Sequence, residues 1–378
     1  MEGLGEDRSS ILMKINWSGV TCLGKACFFL LLLVVQRVYM KETVLVTGGA
    51  GYIGSHTAHL LAEKGFDVLV LDNFLYKQPF NPSWATVIKG DIGDVALLNK
   101  IFSQYNISAV IHFAGFIAVG ESVRDPLKYY ENNIGKTLTL LRVMRERDVQ
   151  KFIFSSSAAV YGIPKRVPIV EEDIKNPINP YGQTKWSVEQ ILYDCAHAYG
   201  LKFAALRYFN ACGAQPEDGL VERHEPETHI IPLAIRAALN KTSFNMFGDD
   251  YDTKDGTCIR DYLHVTDLAE AHVCSLGYLN NDGKSGSFNL GTGQGYSVKE
   301  VLDMVSRVCD VSLHIKTCAR REGDPARLIA DPSKAHSVLN WRAQHSDLYK
   351  IVSDAYRAEC LMKTEHSQCH PKITSATG

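Results

Sequence analysis

Tyr181 and Lys185 stand four residues apart at the head of an amphipathic segment that runs to about Tyr199. In a helix, positions i and i+4 share a face, so the Lys185 ammonium lies near the Tyr181 phenol. A free tyrosine titrates near 10, and lowering that by about three units takes roughly 4 kcal/mol of preference for the phenolate. Neighbouring positive charge acts in that direction, and the result is a general base usable near neutral pH. Asn179 and Pro180, just upstream, fit a helix entry. A second Tyr-x-x-x-Lys, Tyr161 to Lys165, has Gly162 and Pro164 between its ends, and no helix holds that pair on one face. Ser155, Ser156 and Ser157 follow the apolar run Phe152–Phe154. A serine run either caps a strand or places hydroxyls at the carboxyl end of a sheet strand, where open α/β sheets bind ligands. Beside a Tyr–Lys pair the second reading is preferred, with Ser157 as the hydroxyl that hydrogen-bonds the reacting substrate hydroxyl and relays its proton.

A glycine triplet says what the base works with. Thr47–Gly54 reads Thr-Gly-Gly-Ala-Gly-Tyr-Ile-Gly, between the apolar run Val44–Val46 and a helix-like stretch, His56–Lys64. Gly48 permits the tight turn, Gly51 lets backbone approach a pyrophosphate, and Gly54 lets the helix pack on the strand. The pyrophosphate sits at the helix N-terminus, where the dipole favours negative charge. A second strand, Asp67–Leu71, ends at Asp72, eighteen residues after Gly54. A carboxylate there accepts from both ribose hydroxyls and repels a 2′-phosphate, which favours NAD over NADP. An ordinary glycine-rich turn is the alternative, and the strand, helix and acid in their places argue against it. A positively charged nicotinamide ring adds to the field of Lys185 at Tyr181.

These residues need a sheet to carry them. Strands near Ala109–Phe113, Lys151–Phe154 and Lys202–Arg207 alternate with helices near Pro126–Arg147 and Tyr181–Tyr199 up to about Gly213. The pattern is α/β, an NAD-binding Rossmann doubly wound parallel sheet over residues 40–213. The polar stretch Gln215–Thr228 marks the passage into a smaller α/β substrate lobe, residues 214–360. Gly291, Gly293 and Gly295 read as a turn, because no acid-ended strand comes after them, and Ser297 caps a helix at Val298–Val308. The polar residues 361–378 are expected to be disordered. Residues 1–39 contain nine apolar residues, Cys27–Val35, where a membrane span needs about 20. No small-residue cleavage site lies beyond them. A start at Met40 is the preferred expectation, and an apolar leader the alternative.

A chain of 378 residues buries a large core in two lobes. Its net charge of −2 and pI near 6.7 give no reason to propose nucleic acid or an anionic membrane face. Ten cysteines, from Cys22 to Cys369, include no Cys-x-x-Cys, so neither a zinc site nor a disulfide framework is expected. Buried thiols in a reducing, cytoplasmic compartment are. The thirteen histidines form no metal-spaced cluster in sequence, and His112 reads as a satisfied core residue.

Over Lys41 to Trp341 the chain resembles the extended short-chain dehydrogenase/reductase family, and within it the UDP-sugar 4-epimerases that interconvert UDP-galactose and UDP-glucose. The resemblance is carried by Val44–His56, Val110–Gly115, Val119–Val123, Tyr129–Asn133, Phe154–Gly162, Leu206–Asn210, Asp255–Val265 and Arg320–Asp324. The last two are more specific to nucleotide-sugar epimerases than the glycine loop. The resemblance implies that Tyr52, Ile53, Asp72, Asn73, Asp91, Ile92, Phe113, Ala114, Gly115, Asn132 and Phe209 contact or frame NAD, together with Tyr181 and Lys185. It implies that Asn210, His229, Ile230, Arg260, Tyr262, Arg321 and Asp324 line the UDP-sugar site, with Phe209 beside them. It also implies a homodimer through a bundle that includes the Pro126 and Tyr181 helices. Chemistry agrees for Arg260 and Arg321, planar permanent cations matched to a diphosphate, and Tyr262 offers a flat face. His229 stands where some members carry Asn, and Ile117 where some carry Lys. Leu328 falls where the wall near the sugar 2-position is Tyr in some members and small in others, so N-acetylated and pentose substrates stay open. A 4,6-dehydratase needs an added acid and base just before Val160-Tyr161-Gly162, where this chain has Ala158 and Ala159. A non-catalytic NAD-sensing module would tolerate loss of the Tyr–Lys pair, and both residues are present.

Overall fold

Short runs of Val, Ile, Leu and Phe, buried on both faces, make a parallel sheet. The computed structural model describes residues 42–75, 80–223, 227–321 and 323–368, with backbone alone for 364–368. The expectations for residues 1–39 lie outside these. The first half alternates β1 (Thr43–Thr47), α1 (Tyr52–Glu63), β2 (Asp67–Asp72), β3 (Thr86–Lys89), α2 (Val95–Gln104) and β4 (Ile107–His112). It continues through α3 (Val119–Arg124), α4 (Pro126–Tyr129), α5 (Lys136–Glu146), β5 (Lys151–Ser157), α6 (Pro180–Tyr199) and β6 (Lys202–Tyr208). Then come β7 (Asn210–Cys212), α7 (Ile230–Asn240), β8 (Ser243–Phe247), β9 (Ile259–Arg260), β10 (Tyr262–His264), α8 (Val265–Asn280) and β11 (Gly286–Leu290). The chain ends through β12 (Tyr296–Ser297), α9 (Val298–Cys309), β13 (His314–Cys318), β14 (Arg327–Leu328), α10 (Ser333–Val338) and α11 (Leu348–Gln368).

The main sheet has the order β3-β2-β1-β4-β5-β6-β11, and every pairing in it is parallel. Strand order reverses between β1 and β4, and the crevice outside those carboxyl ends is where a doubly wound sheet binds its ligand. Side chains alternate across the strands. Val44, Val46, Val68 and Ile111 pack with α1 and α8, while Leu45, Leu69, Val110 and Phe152 pack with α2, α5 and α6. A separate core gathers Ile235, Met246, Val301, Val305 and Ile351 from β8, α7, α9 and α11.

Three features depart from expectation. The last strand of the sheet, β11, comes from the segment assigned to the substrate lobe, so a division at Gly213 cuts through the sheet's own chain rather than after it. The helix expected over Pro126–Arg147 is broken by a wide π turn, Tyr130–Gly135, which leaves Asn133 buried and pointing inward. The segment expected to be disordered after 360 begins as helix: α11 runs to Gln368, anchored by the apolar face Ile351, Val352 and Ala355. The reading of Ser297 as a cap holds, with Glu300 completing a capping box on α9.

Candidate active site

At the switch point two loops meet. Gly48 has φ +70°, and a Cβ there would stand 2.5 Å from Ala114 N. A Cβ on Gly54 would stand 2.3 Å from Gly48 O, so only glycine lets α1 begin this close to the turn. Gly51 is the N-cap of α1, with no side-chain cap bond and no acidic residue in the first turn, which leaves a dipole end suited to an anion. The Asp72 carboxylate is held at the lip of this loop by Ala50 N (3.1 Å) and Phe74 N (2.8 Å). Burial raises its pKa, and those two bonds act against the rise. Beside it, Asn73 Nδ2 donates to Asp91 Oδ2 at 3.3 Å, Lys136 Nζ pairs with the same oxygen at 2.6 Å, and Ile92 is buried. Phe113 N and Ala114 N both donate to Thr47 O. Ile53 packs on the sheet, whereas the Tyr52 hydroxyl donates to Gly213 O at 2.6 Å, so that side chain ties α1 to the end of β7. Backbone groups plus one carboxylate are the donor set a dinucleotide needs, and the site fits NAD on these observations.

Asn179 caps α6 by accepting from Gly182 N at 2.8 Å, with Pro180 in the first turn. Lys185 is buried, and its Nζ donates to Ser155 O at 2.8 Å and lies 5.8 Å from the centroid of the Tyr181 ring. The Ser157 hydroxyl faces the Tyr181 phenol closely enough to lower its pKa, and it accepts from Ala159 N at 3.2 Å. A Cβ on Gly115 would lie 3.8 Å from Lys185 Nζ, so the loop after β4 and helix α6 adjoin. The expected drop in the Tyr181 pKa is not produced by the protein's own residues: burial raises it, and the Ser157 bond works against that rise. The reason is the direction of Lys185, whose ammonium is aimed at a carbonyl, with burial pushing its own pKa down to about 8. The rejected pair is core: the Tyr161 hydroxyl donates to Asn289 Oδ1 at 2.6 Å and accepts from Arg207 Nη1 at 2.8 Å. His112 is satisfied as read, with Nδ1 2.7 Å from Thr47 Oγ1 and Nε2 2.9 Å from Thr137 Oγ1.

The residues assigned to the sugar nucleotide sit on short strands and turns. Phe209 packs on Ala158, Val160 and Ile169, next to Trp186 and Leu328. Asn210 donates through N and Nδ2 to Asp261 O, at 3.1 and 3.0 Å, which pins β7 beside β10. The His229 ring lies between Glu222 (2.7 Å) and Glu227 (3.1 Å), and Ile230 opens α7, whose first turn carries no acid. Arg260 pairs with Asp324 through Nη2 and reaches Ile259 O through Nη1. The Arg321 guanidinium lies over the Phe247 ring at 4.3 Å. Tyr262 corrects an expectation: it is 3% exposed within the smaller lobe's core, so its ring is packing rather than an open face. Leu328 is opposite Arg260 in the β14–β9 register. Spacing in the sequence hid two clusters among the described residues, Glu222–Glu227–His229 and Asp267–Glu270–His345, in each of which the possible ligand atoms lie within 4.8 Å of one another.

Residues 44–291 match the profile of the NAD dependent epimerase/dehydratase family. The chain belongs to that family. It is 49% identical to the UDP-glucose 4-epimerase of Halalkalibacterium halodurans over 314 residues, 83% of this chain and 94% of that protein. The crystal structure of UDP-glucose 4-epimerase from Brucella ovis in complex with NAD is similar with a TM-score of 0.80 and 48% identity, over 83% of this chain and 97% of that one. UDP-glucose 4-epimerase from Bifidobacterium longum in complex with NAD+ and UDP is similar with a TM-score of 0.78 and 40% identity, over 85% and 98%.

Within this epimerase/dehydratase fold, several contributors to the site escaped sequence reasoning. Asn133 Oδ1 accepts from Phe116 N at 2.8 Å, and its Nδ2 donates to Phe116 O and to Thr184 Oγ1, which joins the cofactor loop to α6. Its signal was hidden because the π turn breaks the helical period. Tyr208, whose hydroxyl pairs with Ser155 Oγ, and the buried ion pair Glu189–Arg207 lie at the end of β5 behind Ser157 and Tyr181. No helix of the described residues is long and apolar enough to cross a membrane.

Proposed function

We propose that this chain is a UDP-glucose 4-epimerase that interconverts UDP-galactose and UDP-glucose through a transient 4-keto sugar. One observation carries the reading: Tyr181 faces Ser157, and Lys185 lies 5.8 Å from the Tyr181 ring and next to Gly115, at the end of an NAD-binding sheet, and no carboxylate stands at Ala158 or Ala159 for a dehydration. Tyr181 takes the proton from the sugar 4-hydroxyl, with Ser157 hydrogen-bonded between them. Lys185, held on Ser155 O, fixes the start of α6 against β5, and the positive nicotinamide ring of bound NAD would supply the charge that favours the phenolate. Gly48, Gly51, Gly54 and Asp72 hold NAD, which supplies reversible hydride acceptance and acts as a prosthetic group. His229, Ile230, Arg260 and Arg321 hold the UDP portion, remote from the reacting carbon, and keep the sugar in reach while it turns over in the site.

The test is to incubate the purified chain with UDP-galactose, without added NAD, and follow UDP-glucose. Conversion supports the reading. A folded protein that converts nothing, with or without added NAD, overturns the substrate assignment and points to N-acetylated or pentose UDP-sugars. A homodimer is part of the same proposal: α5 and α6 leave Leu138 and Tyr199 exposed around a groove of about 250 Å³ that Arg142 and Cys195 also line. Sedimentation at micromolar concentration checks it.

A further inference from the structure

Helix α6 presents Tyr181, Lys185 and Glu189 at i, i+4 and i+8 on one face. The end of β5 meets each of them. Ser157 faces Tyr181, Ser155 O accepts from Lys185 Nζ, and Ser156 Oγ donates to Glu189 Oε1 at 2.5 Å. Arg207 lies opposite Ser156 in the β5–β6 register. Its Nε donates to both Glu189 oxygens, at 2.9 and 3.2 Å, and its Nη2 to Oε2 at 2.5 Å. From β11, Ser287 Oγ adds a donor to Oε2 at 2.8 Å. One carboxylate thus collects donors from three adjacent strands. The far side of Arg207 is also fixed, by the Tyr161 hydroxyl at 2.8 Å and Glu171 O at 3.3 Å. Arg207 and Glu189 are 2% and 0% exposed.

A buried ion pair is a poor device for stability, because desolvation consumes most of the attraction. What it gives here is direction. Apolar packing tolerates a small slide of α6 along β5, whereas five directed hydrogen bonds on Glu189 do not. A slide of about 1.5 Å is one residue of helical rise, and a misplacement of about 1 Å at a reacting centre costs roughly a hundredfold in rate.

We propose that the Glu189–Arg207 pair is a positioning element that sets the axial register of α6 against β5, and with it the contact between Tyr181 and Ser157. Neither residue reaches the reacting atoms. The inference rests on Tyr181 and Ser157 being the proton-transfer pair of the proposed function.

The deciding variant is Glu189→Met with Arg207→Met, which removes both charges and keeps the site filled. Apolar replacement of a buried pair commonly preserves the fold, whereas either single change strands a charge. The expected result is an unfolding temperature near that of the unaltered protein, kcat for UDP-galactose lowered about a hundredfold and KM unchanged. The acid limb of the kcat–pH profile moves up, because Tyr181 moves away from the Ser157 hydroxyl that lowers its pKa. Should the double variant not fold, Ser156→Ala removes only the strand-side bond and is expected to lower kcat and move the acid limb in the same sense. A folded variant with unaltered kcat and an unmoved acid limb overturns the proposal. Tyr181→Phe in the same assay separates the two failures: if it stays active, the assignment of the base is wrong, whatever the register does.

Discussion

The two ends of the crevice are built from different materials. At the cofactor end the work is done by backbone: glycines whose Cβ atoms would collide at 2.3 and 2.5 Å, an uncapped helix start, and one carboxylate held by two amides. At the sugar-nucleotide end, charged side chains on short strands hold one another, Arg260 with Asp324 and His229 with Glu222 and Glu227. A backbone cradle is ready before its ligand arrives, so binding costs little ordering. In the proposed site, Arg260 would have to exchange the Asp324 carboxylate for a phosphate. The first design fits a ligand that stays through many turnovers, and the second one that leaves each time.

The catalytic groups lie between these ends, and removing their base is the sharpest test. Tyr181→Phe deletes the hydroxyl proposed to take the substrate proton and is expected to lower kcat by about 10³-fold, within the range for general-base loss, with KM little changed. Initial rates of UDP-galactose conversion measure it. A loss below tenfold would remove Tyr181 from its role.

The backbone design predicts that the cofactor end fails through space rather than charge. In Gly54→Ala the new methyl meets Gly48 O and the Gly49 Cα, which are backbone and cannot swing aside. Overpacking of that kind costs about 1–3 kcal/mol, and the nucleotide carried through purification is expected to fall with it. Ultraviolet absorbance of the nucleotide released on denaturation gives the occupancy. Full occupancy in Gly54→Ala would break the comparison at its first term.

That contrast also decides what the sequence revealed. Gly48, Gly51, Gly54 and Asp72 were legible because a backbone cradle constrains residue type locally, at fixed offsets along a strand, turn and helix. Tyr181 and Lys185 were legible because one helical turn joins them. The doubly wound order came from the same alternation. The strand β11 was not legible, since its partner β6 lies far back in the sequence. The burial of Tyr262 was hidden because charged Arg260 and Asp261 precede it and suggest an open, ligand-facing segment. Asn133, Glu189 and Arg207 escaped because their partners come from different elements. An Arg in a strand or a Glu in a helix carries no local sign of being buried and paired.

A smaller effect is expected at the other end. Arg260→Gln removes the guanidinium and leaves Asp324 partly exposed to water. A hydrogen bond to a charged group is worth about 1.5–3 kcal/mol, so KM for UDP-galactose is expected to rise by at least about tenfold while kcat changes little. An unaltered KM would mean that the pair with Asp324 is structural and that Arg321 carries the diphosphate.

The least perturbing test uses proton linkage, because the two ends titrate in opposite senses. His56, His112 and His272 are fully buried around the sheet, and burial pushes them down to about 4, 3 and 4. Below about 6.5 the unfolded chain binds protons there that the folded protein does not, so stability falls as pH drops from about 6.5 toward 4, by up to about 1.4 kcal/mol per pH unit for each histidine. His229 behaves in the reverse way. Burial would lower its pKa, but the hydrogen bonds to Glu222 and Glu227 outweigh that and raise it to about 10. Its side chain is 43% exposed, so water screens the pair and its share of the stability is small. Its contribution is complete below about 6.5, its unfolded value, and is lost as pH rises from there toward 10. His272→Gln removes one acid-side group whose Nε2 has no hydrogen-bond partner and whose Nδ1 reaches only its own helix at Leu268 O. Urea midpoints at pH 5, 7 and 9 are expected to show a shallower fall on the acid side and an unaltered alkaline side. His229→Gln is expected to flatten the alkaline side alone. If either substitution altered both limbs equally, the two ends would be one electrostatic unit, and the division between a preformed cradle and an exchanging charge network would not hold.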